Sequence, residues 1–355
     1  MTSPLSVTQP GSRNLYGRCA IIRVSQLPPR QPPVPLAPIP VPDKLPEVII
    51  PAGAIGIVGA ASPAVGGQGP RLGVTPGLRA SFRVEQTLVS VPNTAIISVF
   101  NLAPQTRKSV QMRNALFTLE AGYIGDLSQA NGEPCLPIII KGDLRRVQHV
   151  RRGPDWETRF EIGDGEFNFR WAQAIVSFIA GTKLSKVLKE IANQFKNYDP
   201  NRIDITRFLS MVDSPNSSVT GFFDAFTQGY SYAGNAMRAL EVLLPGMQVS
   251  IQNGELLALK QGDAAPAVHA PLLSPETGLL DSPEIGITTN YGGPPPLLKV
   301  KAFLFPQIVP GTLFQLQSAQ YNGPFKAQKV IHTGDTGGQA WWTEIEAAVK
   351  SAGQP

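Results

Sequence analysis

A chain of 355 residues exceeds what one ordinary hydrophobic core fills, so two or three domains are expected, and 42% hydrophobic residues suffice for their cores. Only 16% of residues are charged, while Gly and Pro number 34 each; this composition of turns and short strands fits an all-β or β-rich α+β protein better than a helical one. The net charge of +5 is scattered rather than gathered into a Lys/Arg run, which argues against a sequence-reading nucleic-acid surface.

The opening stretch MTSPLSVTQPGSRN has no apolar core of signal-peptide length, so export by that route is not expected. Strand character begins at residues 15–25 (LYGRCAIIRVS), and residues 1–25 read as the N-terminal strand of a first barrel. This stretch holds Cys19. With Cys135 it makes up the chain's two cysteines, too few for a disulfide framework or a four-ligand metal site, and both read as reduced thiols. Residues 26–77 are proline-dense and then Gly/Ala-rich. Proline lacks a donor and fixes φ, so neither a helix nor a central strand is expected there. The segment reads as an insertion, disordered or draped over another surface. Ile49, Ile50, Ile55, Ile57 and Val58 are too apolar for a pure linker and suggest an ordered arm along a neighbouring subunit or partner.

Residues 78–172 read as a first β-barrel domain. Ala80, Phe82 and Val84 alternate with Ser81, Arg83 and Glu85 in the period-two pattern of a half-buried strand. Residues 94–101, 116–121, 138–144 and 156–162 continue a meander, with a short helix at 106–114. Strands at this spacing favour a small closed or half-closed barrel. Arg145, Arg146, Arg151 and Arg152 flank a turn and read as a solvated hairpin edge, where charge blocks edge-to-edge pairing.

Residues 173–265 read as an α+β spacer. Thr182 is placed to cap a helix carrying Leu184, Val187, Leu188, Ile191 and Phe195 on one face. A second helix starts at Asn235 and stops at Pro245-Gly246. Asn253-Gly254 between two apolar runs predicts a hairpin with a type I′ turn. Residues 266–350 read as a second β-barrel, with strands at 297–305, 312–318, 325–332 and 341–348, and 351–355 as a tail. The expected fold is β-rich α+β: two small antiparallel, tube-like barrels joined by a helical and hairpin spacer, with a Pro-rich N-terminal insertion. No run approaches the ~18 apolar residues of a membrane span.

Few residues suggest chemistry. Gly229-Tyr230-Ser231-Tyr232-Ala233 resembles a nucleophile elbow, but Ala233 stands where glycine is usual and only His269 and His332 follow it. The plainer reading is a helix-start turn with packed tyrosines. His332 and Asp335 lie together, yet a metal needs three or four ligands and His149 and His269 belong to other segments. The 334–338 loop lacks the Lys-Ser/Thr and the helix of a phosphate cradle. Asp164 and Glu166, with Glu161 nearby, have a spacing compatible with paired glycosidase acids, although charged residues at a strand end are ordinary surface chemistry. Trp341 and Trp342 place one indole on each strand face, one for the core and one for a subunit interface or a sugar. No catalytic, cofactor or metal site is assigned.

Three stretches carry a family likeness: FRVEQTLVSVPNTAIISVFNL (82–102) with the following TRKSVQ and LEAGYIGD; GDLRRVQHVRRGPDWETRFEIGDGE (142–166); and PQIVPGTLFQLQS with FKAQKVIHTGDTGGQAWWTEIEA (306–347). Together they resemble the baseplate hub family of contractile-tailed bacteriophages, related to the hub portion of type VI secretion spikes. The likeness covers most of residues 78–348, and the Pro-rich insertion departs from it. The resemblance implies a structural protein rather than an enzyme. It implies a homotrimer whose subunits each supply two similar barrels, so that six barrels meet the sixfold tail tube or its initiator while threefold symmetry faces the central spike. It also implies contacts with other baseplate (wedge) proteins, a lumen passing DNA without specific binding, no cofactor, and a place in the virion tail baseplate, assembled in the bacterial host cytoplasm. Two other readings stay open: a tail-associated esterase or cell-wall-degrading hydrolase using Ser231 or Asp164 and Glu166, and a carbohydrate-binding attachment module using Trp341 and Trp342.

Overall fold

In chain order the strands are β1 (Arg18–Gln26), β2 (Glu47–Gly53), β3 (Gly56–Val58), β4 (Arg71–Gly73), β5 (Ala80–Thr87), β6 (Thr94–Phe100), β7 (Ala115–Tyr123), β8 (Ser128–Ala130), β9 (Glu133–Cys135), β10 (Ile138–Arg152) and β11 (Asp155–Gly163). They continue as β12 (Gln173–Phe178), β13 (Tyr230–Asn235), β14 (Met247–Gln252), β15 (Glu255–Lys260), β16 (Leu272–Leu273), β17 (Glu284–Ile285), β18 (Leu298–Phe303), β19 (Leu313–Gln317), β20 (Asn322–Asp335) and β21 (Trp341–Val349). The helices are α1 (Pro104–Ser109), α2 (Glu166–Trp171), α3 (Leu184–Tyr198), α4 (Thr206–Asp213) and α5 (Ala236–Leu243). This computed structural model describes residues 17–28, 46–58, 71–73, 76–130, 133–199, 201–214, 225–260, 263, 270–285 and 297–349.

The β-rich α+β class holds, and of the two barrels expected, closed or half-closed, neither is a separate closed sheet. Among the described residues one continuous sheet runs β17-β18-β21-β20-β5-β6-β11-β10-β7-β1-β2, with β16 and β19 attached through β20, and it does not close. The physical reason is the length of β20. Its residues Asn322–Lys326 pair with β19, Lys329–Asp335 pair with β5, and β21 runs along the opposite edge. A register shift between Ala327 and Lys329 re-aims the strand from one partner to the next. Each half still curls back. Ala52 bridges Leu78 at the lead into β5, and Leu279 bridges Ala302 beside β18.

Separate cores fill the two curls. Ala20, Ile22, Phe82, Ile97, Phe117 and Phe160 belong to the first, and Val300, Phe314, Phe325 and Ile345 to the second. β1 is buried on both faces. Cys19 and Ile21 turn away from the first core into a small cluster with Ile55 and Leu136, which explains the unbroken apolar run of its sequence.

The Pro-rich segment departs from its reading in one part. β2 lies at the end of the sheet path, the edge position that proline tolerates. The Pro51 carbonyl accepts from the Leu78 N–H (3.3 Å), so its nitrogen points the same way, off the β1 ladder, and costs β1 no hydrogen bond. Ile50 and Ile55 are buried against this chain's own strands, so these two side chains pack in cis. Residues 29–45, 59–70 and 74–75 lie outside the described residues.

In the spacer, Leu184, Val187, Leu188, Ile191 and Phe195 all enter one core with α5 and the β14–β15 hairpin. The cap of α3 is Lys183, not Thr182, whose hydroxyl donates to the Ile179 carbonyl instead (2.7 Å). α5 is capped as expected, with Asn235 accepting from the Arg238 N–H (3.1 Å). Asn253 and Gly254 both take positive φ (53° and 81°), the geometry of the type I′ hairpin. α1 begins earlier than the expected 106–114, because Pro104 is preset for the first helical turn.

Candidate functional site

The β14–β15 hairpin is the joint between spacer and sheet. At its tip, the Asn253 and Gly254 N–H groups donate to the Asp164 carboxylate (2.6 and 2.9 Å). Asn93 completes the cradle, its amide reaching Asp164 (3.3 Å), the Ile251 carbonyl (3.1 Å) and Gln252 (2.9 Å). Along the hairpin, Ser90 donates to the Val249 carbonyl and Gln252 to the Thr87 carbonyl, both at 2.6 Å. At the far end, Lys326 reaches Gln248 (3.4 Å) and the Lys260 carbonyl (3.3 Å), and Gln248 meets Gln328 (3.2 Å). One hairpin thus grips the β5–β6 turn and β20, the strand that joins the two halves of the sheet. Burial pushes the Asp164 carboxyl up to about 7, against the opposing pull of the two backbone N–H groups and Asn93.

The carboxylates that suggested paired acids are all engaged. Asp164 holds the hairpin, Glu166 pairs with Arg145 and with Arg170 (2.6 Å), and Glu161 pairs with Arg146 (2.6 Å). The arginine group is the charged edge that was expected. Only Ile138–Asp143 of β10 pair with β7, so residues 145–152 have β11 on one side and, among the described residues, no strand on the other. Arg152 pairs with Glu157 (2.6 Å) and Arg151 donates to the Gly153 carbonyl (3.3 Å).

Ser231 sits exposed inside β13, opposite Ser177, and not on a strand-to-helix turn. The elbow geometry is therefore absent at this serine. His332 is buried in β20 and bonded to the Thr343 hydroxyl (2.9 Å), and desolvation lowers its pKa to about 3, so it is neutral. His269 lies outside the described residues. Ser231→Ala is expected to change stability by less than about 0.5 kcal/mol in urea unfolding, as at an exposed polar site. A larger loss would mean that the hydroxyl is engaged.

Asp335 accepts two hydrogen bonds from Arg79 (3.1 and 2.7 Å) and one from the Gly337 N–H (2.9 Å), which closes the local turn. Among the described residues no three His, Cys, Asp or Glu side chains stand where they could hold a metal. The tryptophans divide as expected between core and surface. Trp341 is 2% exposed, edge-on to Phe82 (5.4 Å) and Tyr123 (6.4 Å), and so locks the C-terminal hairpin to the first core. Trp342 faces outward under Lys301 (4.3 Å) and donates to Glu344 (3.0 Å).

One surface went unremarked in the sequence. β12 turns Ala174, Val176 and Phe178 toward the spacer core, leaving Gln173, Ile175 and Ser177 outside. Ile175 is 79% exposed, Ile179 just beyond it 82%, and Trp171 just before it 57%. The signal was readable in WAQAIVSFI: the alternation is clear, but the outward set is nearly as apolar as the inward one.

In fold, the chain is similar to solved tail proteins, one of them from a prophage, and to a secretion-system component. The 43 kDa tail protein of prophage MuSo2 from Shewanella oneidensis is 10% identical, with 85% of this chain and 98% of that one covered at a TM-score of 0.50. A tail protein from Neisseria meningitidis is 10% identical over 83% and 96% of the two chains, at 0.47. An Escherichia coli type VI secretion component, described as structurally similar to bacteriophage T4 tail proteins, is 10% identical over 84% and 77%, at 0.48. No family model matches the chain, and no curated protein matches it in sequence. At such identity the likeness bears on the fold, and there it agrees with the family named by the sequence resemblance.

Proposed function

We propose that this protein is the structural baseplate hub of a phage tail: a homotrimeric ring that adapts the sixfold tail tube to the threefold central spike and leaves a channel for DNA. The observation that carries the reading is the doubled architecture of one chain, two curls of a single sheet made continuous by β20 and braced by one hairpin. Two similar sheet units per subunit let a threefold ring present six, and joining them through a shared strand fixes their spacing. The likeness to a prophage tail protein over 85% of this chain supports the same reading. On it, β1, β2 and residues 78–172 serve as one tube-like unit, 266–350 as the other, and 173–265 as the spacer.

Tube, spike and wedge proteins are then its partners in the virion tail, and its role is mechanical rather than catalytic. The hydrolase alternative has lost its geometry, since Asp164, Glu166 and Glu161 are bound up in structural contacts and Ser231 lies in a regular strand. Native mass spectrometry or light scattering on the purified chain, alone and with its spike, is expected to give a trimer. A chain that stays monomeric in both settings is incompatible with the reading.

A further inference from the structure

The exposed side chains of β12 stand beside an open strand edge. Its sheet holds only β12 and β13, paired so that Ala174 lies opposite Gly234 and Val176 opposite Tyr232. The ladder runs on past β13, where the Ala236 N–H donates to the Ala172 carbonyl (2.9 Å), so the even-numbered residues of β12 turn their backbone groups toward β13. Gln173, Ile175 and Ser177 therefore turn theirs the other way, to an edge with no strand beside it among the described residues. Free edges are commonly blunted by charge, as the arginines of 145–152 blunt that side of β10. Neither β12 nor β13 carries a charged residue.

This edge is matched to itself. Along 171–179 the alternate exposed side chains are Trp171, Gln173, Ile175, Ser177 and Ile179, an apolar–polar pattern symmetric about Ile175. Let a second β12 lie antiparallel to the first, Ile175 of one copy opposite Ile175 of the other. Gln173 then falls opposite Ser177, and the end bearing Trp171 meets the end bearing Ile179. The residues opposed in this way are the ones whose backbone groups point to the open edge, so they close about six hydrogen bonds between the copies. Sliding the pair by two residues sets Ile175 against Gln173 or Ser177 and loses the match.

We infer that β12 is a self-pairing edge: two copies join there about a twofold axis through Ile175, into a four-stranded antiparallel sheet ordered β13-β12-β12-β13. Strand addition supplies the hydrogen bonds, and apolar pairs at the centre and the ends add to them. Charge takes no part in the choice of partner. Arg170 at one end pairs with Glu166, and Lys183, Lys186 and Lys189 beyond the other end share their cleft with Glu190. One strand edge covers less than the ~800 Å² per partner of a stable interface, so the pairing is weak and depends on concentration. It is independent of the trimeric reading. A twofold contact doubles whatever the chain forms without it, a monomer into a dimer or a ring of three into a pair of rings.

Native mass spectrometry and light scattering over a concentration series test it on the wild type, Ile175→Lys, Ile175→Glu, an equimolar mixture of those two variants, and Val89→Lys. Val89 is an exposed apolar residue away from this edge, and circular dichroism verifies that each variant folds. The wild type is expected to double as its concentration rises. Each Ile175 variant should need about tenfold more protein or beyond, because like charges then face each other across the axis. The mixture should double again, since residue 175 of one copy meets residue 175 of the other with opposite charge, and Val89→Lys should behave as wild type. A wild type that never doubles, Ile175 variants that double as readily, or an equal loss in Val89→Lys would overturn the self-pairing edge and leave the hub reading standing. A mixture that fails to recover would overturn the twofold register through Ile175. Species of two chains and never of three, with or without the spike, would support this edge and remove the hub reading instead.

Discussion

Replacing Arg202 by methionine is expected to destabilise the fold by about 3–5 kcal/mol, the cost of removing one partner from a buried ion cluster. Arg202 is buried just beyond α3. Its guanidinium pairs with Asp143 of β10, donates to Asp199 (2.9 Å) and to the Asn114 side chain, and lies over the Phe167 ring (4.6 Å). Asp143 and Asp199 are themselves buried, and Asp143 also accepts from the Phe167 N–H (2.7 Å). One cation therefore offsets two buried carboxylates while joining spacer, β10 and the connection before β7. Methionine fills a similar volume but removes the Arg202 charge from beside both carboxylates. Arg202→Lys keeps the charge and loses the planar fork, so a smaller loss of about 1.5–3 kcal/mol is expected, the value of a charged hydrogen bond. Urea unfolding followed by tryptophan fluorescence measures both. An Arg202→Met protein within about 1 kcal/mol of wild type would mean that the cluster contributes no net stability.

The elements legible in the sequence were those that local physics decides. Period-two alternation located β5, a helical face located α3, and Asn253-Gly254 located the hairpin to the residue. What escaped depends on contacts distant in sequence. Nothing in NGPFKAQKVIHTGD announces that half of β20 serves β19 and half serves β5, because register between segments some 240 residues apart is written in neither. The Pro-rich reading was right about the rule and incomplete about its exception: proline bars a central strand, while β2 is an edge strand whose single proline points its nitrogen off the ladder. Asp164 was noticed for a role it does not have. Acidic residues near a strand end are ordinary, and only the fold reveals that this one is buried and faces the amides of a turn 90 residues away.

That buried carboxyl predicts an unusual dependence of stability on pH. With its pKa at about 7 in the fold and about 3.9 unfolded, Asp164 binds its proton more tightly when folded. Its contribution to stability is therefore complete below about pH 4, declines as pH rises toward 7, and is lost above it, at about 1.4 kcal/mol per pH unit. Between pH 5 and 8 the native state should lose about 3 kcal/mol from this group alone. His332 acts in the opposite sense. Its folded pKa is depressed to about 3, so its contribution is present above about pH 6.5 and is lost as pH falls toward 3. The net profile of the wild type mixes the two, and the informative quantity is the difference between wild type and Asp164→Asn. The amide cannot ionise, so the variant should keep the His332 trend and lack the loss on the alkaline side. Urea midpoints at pH 5, 6, 7 and 8 decide the matter. Parallel curves for the two proteins would mean that Asp164 is ionised throughout, its charge held by the two hairpin amides and Asn93 more firmly than burial opposes it.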